Sequence, residues 1–247
     1  MRHLLLVVTA ALLALLGASV SSANHAQPTI TFDVLGGAAP TDYGTHGDWN
    51  TTGDLTTWTL SYPMSIEGAL VESWNADFKE DPYVTNNFVV TNTTGFTQTF
   101  IASVLLPIPA FNYNQVVFSS VGVTTTDSNG NNSLSLAQSG ATSLFQGQVN
   151  GGTVLNLGNA SLPLTTASCL PFANVPGCSA TLSDGVPLAG LFVTPGVANS
   201  IGIVVTFDLS PGDSAAVTSR FEIVPEPATG LLLALGLLGL GLRSRRG

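Results

Sequence analysis

Positive charge is scarce in this sequence. Six of the 247 residues are Lys or Arg. Only Lys79 and Arg220 lie between residues 24 and 223, where fourteen carboxylates bring the formal charge to −12. Nucleic acids and anionic lipid surfaces are bound through clusters of basic side chains. The composition therefore excludes nucleic acid as a partner, and its net negative charge favours solubility.

Cysteine is also nearly absent. Cys169 and Cys178 are the two cysteines of the chain, and the segment between them is rich in Pro and Gly. Their spacing offers neither the paired CxxC motifs nor the histidines of a zinc site. In an exported protein such a pair is normally oxidised, so we expect a disulfide that closes a local loop. A metal site and two free thiols are the alternatives.

What the sequence does contain at its start is an apolar run from Leu4 to Leu16, preceded by Arg2 and followed by small residues up to Ala23. A run of this length fits the core of a secretory signal peptide and is short for a membrane span. We predict that residues 1–23 form a signal helix that the general secretion machinery recognises, with cleavage after Ala23.

Residues 24–223 show almost no helical periodicity. Apolar and polar residues alternate instead, as from Ile30 to Val34 and from Trp58 to Tyr62, which is typical of half-buried strands. About ten such strands without intervening helices predict an all-β fold, an antiparallel β-sandwich ectodomain of jelly-roll or Ig-like type.

Two hairpins are predicted within this domain. One spans Asn87 to Val104 with its turn at Asn92–Gly95, where the glycine would supply a positive φ, and it places Phe96 on the inward face. The other joins Ile201–Phe207 to Ala215–Ile223 through the turn Ser210–Asp213. Further strands are expected at Val116–Val123, Ser133–Leu136, Leu144–Val149 and Val154–Leu157.

The C-terminus has three parts in a fixed order. Val224, Pro225, Glu226 and Pro227 are followed by an apolar stretch that ends at Leu242, and then by Arg243, Arg245 and Arg246. The apolar stretch predicts a hydrophobic helix that enters the inner membrane, with the arginines as a cytoplasmic stop. It is shorter than an ordinary transmembrane anchor, which favours a processed tail over a permanent one.

This tail, residues 224–247, resembles the PEP-CTERM sorting domain of Gram-negative bacteria. The resemblance implies that an integral-membrane cysteine transpeptidase, exosortase, recognises Pro225, Glu226 and Pro227. It further implies only transient residence in the inner membrane and a final location at the cell surface or in the extracellular or biofilm matrix. The alternative is an ordinary C-terminal anchor behind a proline-rich linker.

Two segments contain residue types that occur in catalytic or metal sites. Gly212-Asp213-Ser214 is similar to the nucleophile segment of trypsin-like proteases but lacks the glycines that follow the serine, and its base would have to be His46. A turn into the last strand explains it better. Tyr43–Trp49 gathers His46, Asp48 and an aromatic residue in a Gly-rich stretch; a surface loop is favoured over a metal site.

Two acidic segments are candidates for calcium. Asp127–Asn132 has oxygen ligands at alternating positions but lacks the closing carboxylate of an EF-hand, so a hairpin turn is favoured. Asp77, Glu80 and Asp81 are a second candidate, for which a solvated acidic loop is the simpler interpretation. We predict no metal and no cofactor.

Aromatic residues suggest a different class of function. Trp49, Trp58, Trp74 and Tyr83 would form a platform on which sugar rings stack, although Trp58 sits in an alternating strand and fits the core. The sequence therefore predicts an exported surface or matrix protein without catalytic residues. A module that binds exopolysaccharide is the alternative, and a secreted hydrolase, built on His46 or on paired carboxylates such as Glu67 and Glu72, is a remote one.

Overall fold

A computed structural model describes residues 27–37, 41–79, 82–110, 115–131, 135–140, 142–158, 164–165, 178–186, 193–194 and 196–225. Within these ranges the chain forms two antiparallel sheets, which confirms the all-β sandwich. A 3-10 turn spans Gly44–His46. The strands are β1 (Thr29–Val34), β2 (Thr41–Asp42), β3 (Gly47–Thr52), β4 (Leu55–Leu60), β5 (Met64–Ile66), β6 (Ala69–Lys79), β7 (Tyr83–Asn92), β8 (Gln98–Pro107), β9 (Gln115–Asp127), β10 (Ser135–Ala137), β11 (Phe145–Val149), β12 (Gly152–Leu157), β13 (Leu164–Thr165), β14 (Cys178–Val186), β15 (Val193–Thr194), β16 (Ser200–Leu209) and β17 (Ser214–Pro225).

The two sheets differ in which strands they contain. Sheet 1 has the order β12-β11-β16-β8-β1-β2, with the short strand β10 beside β16 and β13 beside β10. Sheet 2 has the order β14-β9-β17-β7-β6-β4-β3, with β15 beside β9 and β5 beside β6. The long strands β7, β8, β9, β16 and β17 therefore alternate between the two sheets in chain order.

Side chains that point inward from both sheets make one core. Five rings form a closed circuit across it, because each of them contacts the next at centroid distances of 5.8 to 6.3 Å. Three rings come from sheet 1 and two from sheet 2: Phe32, Phe100, Phe207, Phe88 and Trp74. Aromatic pairs of this kind contribute about 0.5–1.5 kcal/mol each beyond the burial of their area, so the circuit fastens one sheet to the other.

Neither predicted hairpin forms. β7 lies in sheet 2 between β6 and β17, whereas β8 lies in sheet 1 between β1 and β16, so the chain crosses the core at Asn92–Gly95. The same holds for β16 and β17 at the turn Ser210–Asp213. Alternation of apolar residues shows which face of a strand is inward. The two strands of a crossing both face the core, as the two strands of a hairpin do, so the pattern does not distinguish a crossing from a hairpin.

The first crossing also differs from its prediction in detail. Gly95 has no positive φ, because Asn92 shapes this corner: its Oδ1 accepts hydrogen bonds from the amide and hydroxyl of Thr94 at 2.9 and 2.7 Å. Phe96 lies in the connection between the strands and is 63% exposed rather than inward. Tyr62, which follows β4, is 58% exposed for the same reason.

The segment Asp127–Asn132 was predicted as a hairpin turn, and it is a third crossing. β9 belongs to sheet 2, while β10, the next strand, pairs with β13 and β16 in sheet 1. The other expected strands are confirmed as β9, β10, β11 and β12.

The ends of the chain fall outside the described residues. These include the signal peptide with Ala23, the tail from Glu226 onward, Arg243, Arg245 and Arg246, and both predicted terminal helices. Cys169 is also outside, so its disulfide with Cys178, the first residue of β14, stays a prediction. No helix long and apolar enough to cross a bilayer occurs in the part of the chain that the structure describes.

Candidate functional site

The predicted sorting tail begins on a core strand. Val224 pairs with Val116 and Pro225 with Gln115, at the end of β17, and β17 lies in the interior of sheet 2 between β9 and β7. On the other side, the amide of Ile223 donates to the carbonyl of Pro82 at 2.9 Å. Proline cannot donate a ladder hydrogen bond, which agrees with the strand ending at Pro225.

A polar groove of about 590 Å³ lies on the outer face of sheet 2. It crosses β14, β9, β17 and β7, and two cross-strand rows form its floor. The first row is Ser183, Gly122, Thr218 and Asn87. The second row is Gly185, Ser120, Arg220 and Thr85. Most of these side chains are small, so the surface is concave between larger neighbours. The volume of the groove falls within the usual range of ligand sites, roughly 300–1,000 Å³.

The two glycines are required for the depth of the groove. A Cβ atom at Gly122 would lie 2.9 Å from Thr218 Oγ1, and one at Gly185 would lie 3.0 Å from the carbonyl oxygen of Ser119. Glycine inside a strand is often a sign of close approach by another group. The sequence prediction missed this site, although two strand glycines among small polar residues were a signal for it.

Two charged residues, Arg220 and Asp184, line the groove. The guanidinium carbon of Arg220 lies 4.6 Å from the ring centroid of Tyr83, and Arg220 Nη2 is 2.7 Å from Glu222 Oε2. Asp184 on β14 accepts hydrogen bonds from the amides of Gly158 and Gly185, both at 2.8 Å. These contacts hold both charged side chains in place.

The predicted aromatic platform is wrong for two of its four members. Trp58 is 0% exposed and Trp74 is 1% exposed, because both point into the sandwich. Trp74 Nε1 donates to Asn86 Oδ1 at 2.7 Å. Trp49 is half-buried against Trp58 and Phe78. Tyr83 is the member that contacts a groove residue, because its ring lies under the guanidinium group of Arg220.

The stretch from Tyr43 to Trp49 serves the core. Tyr43 is fully buried against Phe32 and Trp74, and burial raises the pKa of its hydroxyl to about 12. Trp49 Nε1 donates to the carbonyl of Gly44 at 2.8 Å and closes the 3-10 turn. His46 packs edge-on against Tyr43.

The protease-like segment has other partners than a catalytic base. Ser214 pairs with Thr91 and Thr126 in sheet 2, and its Oγ lies 3.1 Å from Ser128 Oγ. Asp213 accepts a short hydrogen bond from the hydroxyl of Ser210. The structure therefore does not bring His46 together with Ser214.

The remaining acidic candidates also have structural roles. Asp77 accepts a hydrogen bond from Thr57 Oγ1 at 3.0 Å, while Glu80 and Asp81 are outside the described residues. Glu67 occupies a turn at φ 45°, and Glu72 accepts from Thr91 Oγ1 at 2.6 Å. Within the described ranges, no three His, Cys, Asp or Glu side chains are grouped so that they could hold a metal ion.

The three crossings meet at one end of the sandwich. Asn92 is fully buried there, and its Nδ2 donates to the carbonyls of Leu209 and Phe96 at 2.9 and 2.8 Å. The carbonyl of Asn92 accepts from Gly212 at 2.8 Å, where the turn needs a φ of +73°. The amide of Ser210 donates to the carbonyl of Ser135 at 3.0 Å. We call this region, residues 92–98, 127–131, 135 and 209–214, the crossover end.

Asp213 is the most perturbed carboxyl of the described residues. Burial, with a smaller contribution from the carboxylate of Asp127, raises its pKa to about 6, although the Ser210 hydroxyl and the backbone amides of Ser135 and Ser128 act to lower it. Asp127 itself is 1% exposed and accepts from the amide of Gly130 at 2.6 Å. The crossover end therefore contains two buried carboxyl groups.

Comparison with known proteins identifies the tail. Residues 224–246 match the PEP-CTERM protein-sorting motif, which confirms the resemblance seen in the sequence. This motif indicates an exported protein that exosortase handles at the membrane. No curated protein matches the chain.

Solved structures give only distant likenesses. The C-terminal CBM6 of LamC, a marine laminarinase from Zobellia galactanivorans, is 11% identical with a TM-score of 0.24, over 68% of this chain and 98% of that one. The structure of infectious bursal disease virus Gx strain is 11% identical with a TM-score of 0.21, over 83% and 53%. At such TM-scores neither indicates a function for this chain.

Proposed function

We propose that this chain, which carries a PEP-CTERM protein-sorting motif, is a non-catalytic surface or matrix protein of a Gram-negative bacterium. The match at residues 224–246 carries the proposal. Exosortase removes or exchanges the tail after the chain has passed the inner membrane, and the β-sandwich stays outside. Several carboxylates that could serve in catalysis make structural hydrogen bonds instead, such as Asp213 with Ser210 and Glu72 with Thr91. These contacts support a role that does not involve catalysis.

Surface exposure in the native host tests this delivery. Intact cells treated with an external protease should lose the wild-type protein. A Pro225→Ala, Glu226→Ala, Pro227→Ala triple variant should stay with the inner membrane and resist the protease. Pro63→Ala, at an exposed position of the sandwich, is the matched control and should behave as wild type. Equal surface exposure of the triple variant would show that the motif does not direct sorting.

We propose further that the outer groove of sheet 2 binds a neutral saccharide of the extracellular matrix. Its floor presents hydroxyls and the amide of Asn87, which suit a ligand with many hydroxyl groups. Arg220 and Asp184 in its lining supply a charged donor and a charged acceptor, and Arg220 lies against the ring of Tyr83. The strong negative charge of the domain disfavours a polyanionic ligand.

Binding of the purified protein to host exopolysaccharide tests the groove. Ser120→Tyr places a large ring on the floor, where Ser120 lies between Gly185 and Arg220, and should abolish the binding. Thr59→Tyr introduces the same ring at an exposed position of β4 in the same sheet, outside the groove, and should leave binding intact. Unchanged binding by Ser120→Tyr would exclude the groove as the saccharide site, whatever the result for sorting.

A further inference from the structure

The last strand of the sandwich and the sorting motif share two residues. Strand β17 spans Ser214–Pro225, and the match to the motif begins at residue 224. Val224 pairs with Val116 on β9. Pro225 pairs with Gln115 and is the last residue of the ladder on this side. The motif therefore begins inside the sheet, without a linker between it and the folded domain.

Strand β17 is held firmly up to this point. It lies between β9 and β7, and its inward residues Phe221 and Ile223 are 0% and 1% exposed. The amide of Ile223 donates to the carbonyl of Pro82 at 2.9 Å. An enzyme that grips an extended peptide uses the same backbone groups that a sheet uses. Residues before Val224 are therefore available to exosortase only if this end of the sandwich unfolds.

Pro225 stands where the pairing stops. The N–H groups of residues i and i+2 point to the same side of a strand. A donor at position 225 would therefore point to the same side as the amide of Ile223, towards the chain that leads into β7. Proline has no N–H, and a strand in the interior of a sheet accepts it only at an end. The side of β17 that faces β7 consequently has its last donor at Ile223.

The second proline of the motif has a different effect. Pro227 follows Glu226 in the sequence, and a residue before proline is restricted to extended backbone conformations. Extended peptides are the form that binding grooves accept most readily. The first proline thus ends pairing with the sheet, and the second keeps the residue between them extended.

We propose that Pro225 is a positioning residue: it ends β17, so that Glu226 and Pro227 stay outside the sheet, where exosortase reads them. This inference rests on the proposed function and deepens it, because it divides the motif into a structural part and a recognised part. A residue at 225 that donates a hydrogen bond and favours strands would extend β17 and draw Glu226 towards the sheet. A residue that disfavours strands would not.

Two substitutions at one position separate this role from direct recognition of the proline ring. Pro225→Val and Pro225→Gly both remove the ring and restore the N–H, but valine favours strands and glycine disfavours them. The measurement is the rate at which the full-length chain loses its tail in the native host, followed by intact mass after a pulse of synthesis. We expect Pro225→Val to slow this rate about tenfold, because a ladder hydrogen bond and strand propensity both oppose release. Pro225→Gly should stay within about twofold of the wild type.

Hydrogen exchange of the purified full-length chain in detergent reports the strand end directly. Backbone amides of residues 224–226 should exchange several-fold more slowly in Pro225→Val than in Pro225→Gly, because an extended ladder protects them. Glu226→Gln is the matched control. It should slow loss of the tail in the host while leaving exchange at Ile223 as in the wild type.

The outcomes distinguish this inference from the function on which it rests. Equal loss of processing in Pro225→Gly and Pro225→Val would overturn the inference, because exosortase would then read the ring itself. Normal processing of both, with the Pro225→Ala, Glu226→Ala, Pro227→Ala variant unprocessed, would overturn it as well, since the end of the strand would not matter. Normal processing of the triple variant would instead contradict the proposed function.

Discussion

Asn92 and Asp213 are joined through their backbones at the crossover end. The amide of Asn92 donates to the carbonyl of Asp213 at 2.9 Å, although the two residues belong to crossings that are far apart in the sequence. The side-chain amide of Asn92 also donates to Leu209 and Phe96. One buried side chain therefore holds two places where the chain passes from one sheet to the other.

Asn92→Ala should lower the free energy of unfolding by roughly 2–4 kcal/mol, because the carbonyls of Leu209 and Phe96 lose a buried donor. Denaturant unfolding would measure this effect. Asn75→Ala removes the same side chain from a half-buried position of β6 and should cost less than about 1 kcal/mol. Equal effects of the two substitutions would contradict the role of Asn92.

The stability of the protein should depend on Asp213 in a defined direction. Its pKa in the fold, about 6, is above the value of 3.8 for an unperturbed Asp. The folded state therefore binds the proton more tightly than the unfolded state, and stability falls as pH rises from about 4 to about 6. Asp127 is the charged neighbour that contributes to the shift.

Asp213→Asn removes this titration. The variant should be more stable than the wild type at pH 7, by on the order of 1–3 kcal/mol. The difference should shrink towards pH 4, where the wild-type carboxyl is neutral. Denaturant unfolding of both proteins across this range is the measurement, and a difference that does not change with pH would show that Asp213 is ionised throughout.

Arg220 should contribute to saccharide binding through the groove. Arg220→Met removes the charged donor but keeps apolar contact with Tyr83, and we expect binding to weaken by roughly tenfold, as for the loss of one hydrogen bond from a charged group. Lys79→Met, which breaks the ion pair with Asp54 on another part of the same sheet, should not change the affinity measured by calorimetry.

Trp74 should matter for stability and not for binding. Trp74→Phe leaves Asn86 Oδ1 without the indole donor in the core, and should destabilise the fold by about 1–3 kcal/mol. Its affinity for saccharide should equal that of the wild type, because the indole is buried. If the variant were fully folded and still bound saccharide more weakly than the wild type, the buried position of the indole would be contradicted.

The sequence predicted the strands better than their partners. The alternation from Ile201 to Phe207 correctly indicated an inward face, because local pattern reports burial. It did not indicate that β16 and β17 lie in different sheets, since a short turn can end in either a hairpin or a crossing. Strands are about 4.8 Å apart within a sheet and sheets about 10 Å apart, and a four-residue connection spans both.

The candidate sites show the same division. The sorting motif is contiguous, so the sequence alone located it at Val224–Pro227. Asp127, the last residue of β9, and Asp213, which precedes β17, come near each other only because these two strands pair. The groove needs four strands in the order β14-β9-β17-β7. Such contacts depend on long-range pairing, which no local pattern encodes. Trp58 and Trp74 were predicted on a binding surface from their residue type alone, but their packing places them in the core.

The intact mass of the protein recovered from its native host tests the central claim most directly. The account predicts that the wild type lacks residues 1–23 and its C-terminal tail, while the Pro225→Ala, Glu226→Ala, Pro227→Ala variant lacks only the N-terminal segment. If the wild type retained its tail, the two proteins would differ in mass only by the three substitutions. That result would contradict sorting by exosortase and make the tail a membrane anchor.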